Sequence, residues 1–275
     1  MRFLESLLYG LFSGLAEFLP ISSQAHQALL MQIFGHTQRE PLRDLLVHIA
    51  LIIALMLSAS SLFSRISQER GLSRNRKSVN RRATSKYLMD LQLVRTAAIP
   101  MVIMLLIYLA TGSWEFNPTV MMVVLIINGI IILVPDYMRN GNKDSRAISG
   151  FEAIIIGIAS GLSFFPGISR TGACLSAAVV TGSNKQNGAN WALMLALPAL
   201  ATYIMIDIIR LIAFGFSGIT FLAVLGYLVS AITAFIGGYL SVIILRFITE
   251  RANTAVFAFY SWGMALFGFL LYLIT

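Results

Sequence analysis

Four residues with polar chemistry, Glu17, Ser22, Ser23 and His26, fall within ten positions of an otherwise apolar stretch. A carboxylate and an imidazole can move a proton, and a serine hydroxyl beside them can be activated as a nucleophile. A second cluster, Gly167-Ile168-Ser169-Arg170-Thr171-Gly172, has the composition of an anion site. Its glycines let successive backbone N–H groups converge, its hydroxyls add donors, and a helix beginning there favours negative charge. Arg170 contributes a planar fork suited to phosphate oxygens. Ser22, Gly167, Ser169, Arg170, Thr171 and Gly172 are therefore the candidates for holding a phosphate through their side chains and the N–H groups of 169–172. Glu17, Ser23, His26 and Arg170 are the candidates for acting on it. The same residues have a plainer use, with Glu17 paired to His26 or Arg170 and the serines capping the helix that follows.

Both clusters interrupt apolar segments, at residues 6–35 and 151–182. Pro20, Ser22, Ser23 and His26 break the first, and Pro166, Gly167, Ser169 and Arg170 break the second. Irregular backbone at membrane depth survives only where protein or a wet cavity satisfies its polar groups. Each segment is thus predicted to be re-entrant, a half-helix in, a polar turn and a half-helix out. Six longer apolar runs, at about 46–63, 96–112, 119–137, 191–213, 219–245 and 254–275, are predicted transmembrane helices on length alone. The chain is 57% hydrophobic and only 12% charged, far from the even mixture of a soluble domain. An all-α polytopic membrane protein is expected, one integral domain over residues 1–275. The single cysteine, Cys174, excludes an intrachain disulfide.

The two broken segments resemble each other. Gly10-Leu11-Phe12-Ser13-Gly14-Leu15 aligns with Gly157-Ile158-Ala159-Ser160-Gly161-Leu162, and the same offset of 147 places Phe18 on Phe165, Ile21 on Ile168 and Ser22 on Ser169. Three apolar runs follow each segment. An odd number of crossings per half turns the second half over, so halves of about 1–147 and 148–275 form an inverted repeat with its site near the midplane.

Charge supports that layout. The net charge is +8, and nine of the twenty Lys and Arg lie between Arg65 and Arg95. No aromatic interleaves these cations before Tyr87, which argues against nucleic acid. Loops 64–95, 138–150, 183–190 and 246–253 fall on one side and together carry fifteen cations, against Arg2, Arg39, Arg43 and Arg210 on the other. The basic side is expected to be cytoplasmic, near anionic headgroups, with both termini outside. The opening residues mimic a signal peptide, but the same pattern recurs internally at Gly161-Leu162-Ser163, so no cleavage is expected.

The remaining polar residues read as structural. His36 sits in a polar loop and is expected to be solvated. Asp207 and Arg210 are spaced to pair on one helix face. Cys174 is expected to pack, and Trp114, Trp191 and Trp262 to anchor or pack helices. No Gly-x-x-x-x-Gly-Lys or His-Glu-x-x-His pattern occurs, so no organic cofactor is expected.

Glu17-Phe-Leu-Pro-Ile-Ser-Ser-x-x-His26 and Pro166-Gly-Ile-Ser-Arg-Thr-Gly172 together resemble the two signature motifs of the bacterial undecaprenyl-diphosphate phosphatase family, the bacitracin-resistance type. The likeness extends to length, motif separation, spans and repeat. It implies hydrolysis of a polyprenyl diphosphate to the monophosphate at the outer face of the cytoplasmic membrane. It also implies functional roles for Glu17, Ser23, His26 and Arg170, and a lesser pair at Asp44 and His48. A divalent cation, Mg or Ca, follows from the family, with Glu17 as its carboxylate ligand. The partners implied are the polyprenyl lipid and membrane lipids, with no bar to an oligomer. The chain departs from the pattern at Ser13, where the family usually has a second Glu. It departs again at Ser160, commonly Gln, and at Gln24-Ala25, usually Thr-Gly. Two carboxylates one helical turn apart share a proton or a cation better than one does. Without the first acid, a non-hydrolytic transporter of polyprenyl phosphate on the same fold stands as the alternative. Whether Ser23 or His26 attacks phosphorus, or His26 activates a water, stays open at this level.

Overall fold

A helix satisfies its own backbone without water, and the described residues of this chain contain helices and no strand. The structure is a computed structural model that describes residues 3–36, 39–64, 67, 86–110, 118–139, 141–214, 220–251 and 253–274. The first half contains α1 (Phe3–Phe18), α2 (Ser23–Ile33), α3 (Pro41–Ser58), α4 (Lys86–Ala110) and α5 (Pro118–Tyr137). The second contains α6 (Gly150–Gly161), α7 (Arg170–Val180), α8 (Lys185–Phe214), α9 (Phe221–Arg251) and α10 (Ala255–Ile274). Arg2, Trp114 and most of the basic segment 64–95 lie outside the described residues.

Neither broken segment runs through as one helix. After α1 the chain turns through Leu19-Pro20-Ile21-Ser22. After α6 it tightens into a 3-10 turn over Leu162–Phe164 and then passes Pro166 and Gly167. Each proline lacks the N–H that a continuing helix requires. The returning helices α2 and α7 have 11 residues each, about 16 Å at 1.5 Å per residue, roughly half of a hydrocarbon core.

Five helices, α3, α5, α8, α9 and α10, are long and apolar enough among the described residues to cross a membrane. The sixth predicted run, 96–112, coincides with α4 as far as Ala110, and its last two residues lie outside the described set. Several helices overshoot the predicted runs. Helix α3 begins at Pro41 and takes in Arg43, Asp44 and His48, α8 begins at Lys185, and α9 continues to Arg251. An apolar run ends at the first charge. A helix ends only where its backbone finds better partners, and Pro41 is a natural first residue of one. Outward faces expose large apolar side chains such as Ile212, Phe221 and Leu222, suited to hydrocarbon.

The two glycine pairs matched in sequence both lie at close helix contacts. Helix α1 of the first half lies along α9 of the second, where a Cβ at Gly10 would stand 2.0 Å from the Ser230 carbonyl oxygen and one at Gly14 2.3 Å from that of Ala234. Ser230 Oγ donates to the Ser6 carbonyl at 2.8 Å and Ser241 Oγ to that of Gly14 at 3.3 Å. Helix α6 of the second half lies along α4 of the first in the same way. A Cβ at Gly157 would stand 2.1 Å from the Ala97 carbonyl oxygen, and one at Gly161 2.8 Å from Met104 Cβ. Small residues one turn apart let backbones approach closely, the commonest device for helix pairing in membranes. Each half therefore seats its first short helix on a long helix of the other, and the two turns are carried to one place.

Candidate active site

Ser169 joins the two turns. As the N-cap of α7 its Oγ accepts from the Gly172 N–H at 3.3 Å, and it donates to the Leu19 carbonyl of the other turn at 3.2 Å. Its own N–H donates to Asn128 Oδ1 on α5 at 2.8 Å. Of the four N–H groups of 169–172 expected to hold an anion, those of Ser169 and Gly172 thus already have protein acceptors. Gly167 has φ 111°, a conformation that costs a side chain dearly, and a Cβ there would meet Val124 Cγ1 at 2.8 Å. Its part is to shape the turn against α5. Thr171 and Gly172 follow, buried, in the first turn of α7.

Glu17 ends up between the two halves. Arg170 Nη2 donates to Glu17 Oε1 at 2.5 Å, and Ser23 Oγ donates to Glu17 Oε2 at 2.6 Å. Glu17 and Arg170 are 6% exposed each, so the ion pair is held away from bulk solvent and the loss of either partner strands the other. The expected Glu17–Arg170 pairing is thus observed, and the expected Glu17–His26 pairing is not.

His26 faces elsewhere. Its Nδ1 lies 2.9 Å from the Ser22 carbonyl oxygen and its Nε2 2.7 Å from the Tyr260 hydroxyl of α10. A carbonyl oxygen only accepts, so Nδ1 carries the proton and Nε2 accepts from Tyr260. The ring lies nearly parallel to those of Phe12 and Tyr260, with centroids 6.2 and 5.6 Å away. This bond holds Ser22, which is the one described non-glycine residue with positive φ, at 61°. Strain of that kind persists only where the surroundings over-determine it, typically at functional sites. Ser22 does not cap α2 with its side chain, contrary to expectation. Instead Ser22 Oγ is buried without a hydrogen-bond partner, and so is Arg170 Nε. Ser22 and Arg170 line one cleft, with Glu17, Ser23, Ser169, Gln24, Ser163 and Tyr203.

The residues present do not make a cage for a resident divalent cation. Both Glu17 oxygens are engaged, Ser13 Oγ accepts from Gln27 Nε2 at 3.1 Å, and the described residues hold no group of three His, Cys, Asp or Glu set for a metal. Asp44 and His48 of the lesser pair bond to different partners. Asp44 accepts from the Tyr9 hydroxyl at 2.8 Å and from Arg43 Nε at 3.2 Å, whereas His48 Nδ1 lies 2.6 Å from Asp207 Oδ2. Asp207 is therefore tied to α3 and not to Arg210, because a buried carboxylate takes the nearest donor across the helix interface. His36 is not merely solvated, since its Nε2 meets Glu5 Oε2 at 3.3 Å. Cys174 packs as expected. Asn128, Tyr203 and Tyr260 were not singled out from the sequence. Asn128 was discoverable as a lone amide in an apolar run, whereas nothing local marks Tyr260.

A family model described as bacitracin resistance protein BacA matches residues 6–267. The chain is 25% identical to an undecaprenyl-diphosphatase of Carboxydothermus hydrogenoformans, an alignment covering 95% of this chain and 94% of that one. It is 28% identical to an undecaprenyl-diphosphatase of Desulforapulum autotrophicum over 97% of each chain. A protein of the same name from Treponema denticola is 25% identical over 94% of each.

Proposed function

Because the chain belongs to the bacitracin resistance protein family, we propose that this multi-pass membrane protein is a phosphatase that converts a polyprenyl diphosphate, undecaprenyl diphosphate foremost, to the monophosphate carrier used in cell-envelope synthesis. The names of its relatives favour hydrolysis over transport. The observation that carries the reading is the pairing of two orphaned buried groups, Arg170 Nε and Ser22 Oγ, with a serine hydroxyl already bonded to a carboxylate in the same cleft. A buried polar atom without a partner costs about 1–3 kcal/mol, and phosphate oxygens entering the cleft would relieve both.

In this reading Arg170 leaves Glu17 for the terminal phosphate, where its fork offsets the developing charge. The freed Glu17 carboxylate takes the Ser23 proton as Ser23 Oγ attacks phosphorus. The bond from phosphorus to the bridging oxygen breaks, and the proton goes on to the departing monophosphate. Water then attacks the phosphoserine and gives a proton to Glu17, Glu17 passes that proton to Ser23 Oγ as the bond from phosphorus to Oγ breaks, and inorganic phosphate leaves. His26 positions Ser22 and is not the nucleophile. No step is routed through a metal ion, since the donor set does not fit one.

The membrane layout belongs to the same proposal. α3, α4, α5, α8, α9 and α10 cross the bacterial cytoplasmic membrane, α1–α2 and α6–α7 are re-entrant, the halves are inverted, and both termini face outside. Phosphate release from undecaprenyl diphosphate by purified protein in detergent tests the activity. Release that is lost in Ser23→Ala and Arg170→Ala is the expected result, and release that survives in Ser23→Ala overturns the nucleophile.

A further inference from the structure

The cleft has a wall that the steps above do not use. Tyr203 of α8 reaches it, and its hydroxyl accepts from Gln24 Nε2 at 2.9 Å. Having taken a donor, that oxygen keeps its own proton for an acceptor. The ring has little freedom to swing away. His48 of α3 stacks on it at 5.2 Å between centroids and 18° between planes, and Phe164 meets it edge-on at 5.7 Å. His48 is fixed in turn by Asp207, 2.6 Å from its Nδ1. Tyr203 and Asp207 stand four residues apart on one helix, so one turn of α8 clasps the imidazole between a ring and a carboxylate.

We propose, resting on the phosphatase reading, that Tyr203 is a substrate-binding residue that donates its hydroxyl proton to the diphosphate, and that His48 and Asp207 are positioning residues for it. The His48–Asp207 pair is costly to bury, and here its consequence is a fixed donor in the cleft that Arg170 also lines.

Two measurements separate this inference from the reading beneath it. The first is phosphate release from undecaprenyl diphosphate. The second is equilibrium binding of farnesyl methylenediphosphonate, whose P–C–P bridge is not hydrolysed. Tyr203→Phe removes one oxygen and keeps the ring, so the fold is spared. It is expected to weaken binding of the probe about five- to tenfold, the loss of roughly one hydrogen bond, and to raise KM more than it lowers kcat. Asp207→Ala is expected to weaken binding in the parent and to add nothing in the Tyr203→Phe background, the non-additivity of groups acting through one another. Parent-like binding by Tyr203→Phe overturns the inference. Equal losses from Asp207→Ala in both backgrounds overturn the positioning role. A parent that binds the probe but releases no phosphate refutes the phosphatase reading alone.

Discussion

Ser13 stands where the motif resemblance implies a second acid, and its surroundings show what the serine bonds instead. It is fully buried one turn before Glu17 and is bonded to Gln27, whose Oε1 accepts from Arg39 Nη1 at 3.4 Å. An uncharged chain of donors and acceptors thus ends in a cation where a second carboxylate would stand. Ser13→Glu places two carboxylates on one helix face, and its expected effect is a stronger dependence of phosphate release on Mg or Ca than the parent shows. Release measured with and without chelator checks it, and identical cation responses of the two proteins would rule it out. Arg170→Lys keeps the charge but cannot serve Glu17 and phosphate with a planar fork. The expected loss in kcat/KM corresponds to about 1–3 kcal/mol, and a parent-like Arg170→Lys makes Arg170 a generic counter-ion. The residue types of the site were legible in the sequence because ionisable groups stand out in apolar surroundings. Their pairing was not. Glu17 has Ser23, His26 and Arg170 as possible partners, and only three-dimensional direction sends His26 to Tyr260, 234 positions away.

At the scale of elements, the seams between short and long helices carry the precision of the site. Gly14→Val pushes a branched side chain into the Ala234 carbonyl, and overpacking of that kind costs on the order of 1–3 kcal/mol. The expected result is a lower midpoint of thermal inactivation in detergent, together with lost activity because α1 carries Glu17. Gly150→Ala is the contrast, for nothing lies within 4 Å of its added Cβ, and it should leave both unchanged. Should Gly14→Val match the parent, α1 does not lie on α9 as described. These seams were half legible. The matched Gly10/Gly14 and Gly157/Gly161 spacings gave the repeat, but a small-residue stripe does not say which helix it meets. Helix boundaries were least legible at Pro41, Lys185 and Arg251, because hydropathy falls at a charge while a helix continues through it.

For the whole molecule, the distribution of cations predicts the sidedness. In a Cys174→Ala background, Thr220→Cys is expected to react with an impermeant thiol reagent in intact cells and Arg146→Cys only after lysis. The reverse pattern inverts the layout and sets the basic loops outside. Composition made the membrane class plain, and motif pairs made the family plain, since both are properties of sequence alone. The way the halves engage was hidden, because contacts between α1 and α9 or α4 and α6 join residues too far apart for any local pattern to report. That exchange also sets an order of events during synthesis. The chain emerges from its N-terminus, so Glu17 and its helix are made first, while the surface that receives them, Ser230 to Ser241 on α9, is made near the end. Arg170, the partner of the Glu17 carboxylate, is itself more than half a chain away. The polar turn therefore waits through most of translation without its seat or its counter-charge, and the site is completed only when the last third of the protein has been inserted.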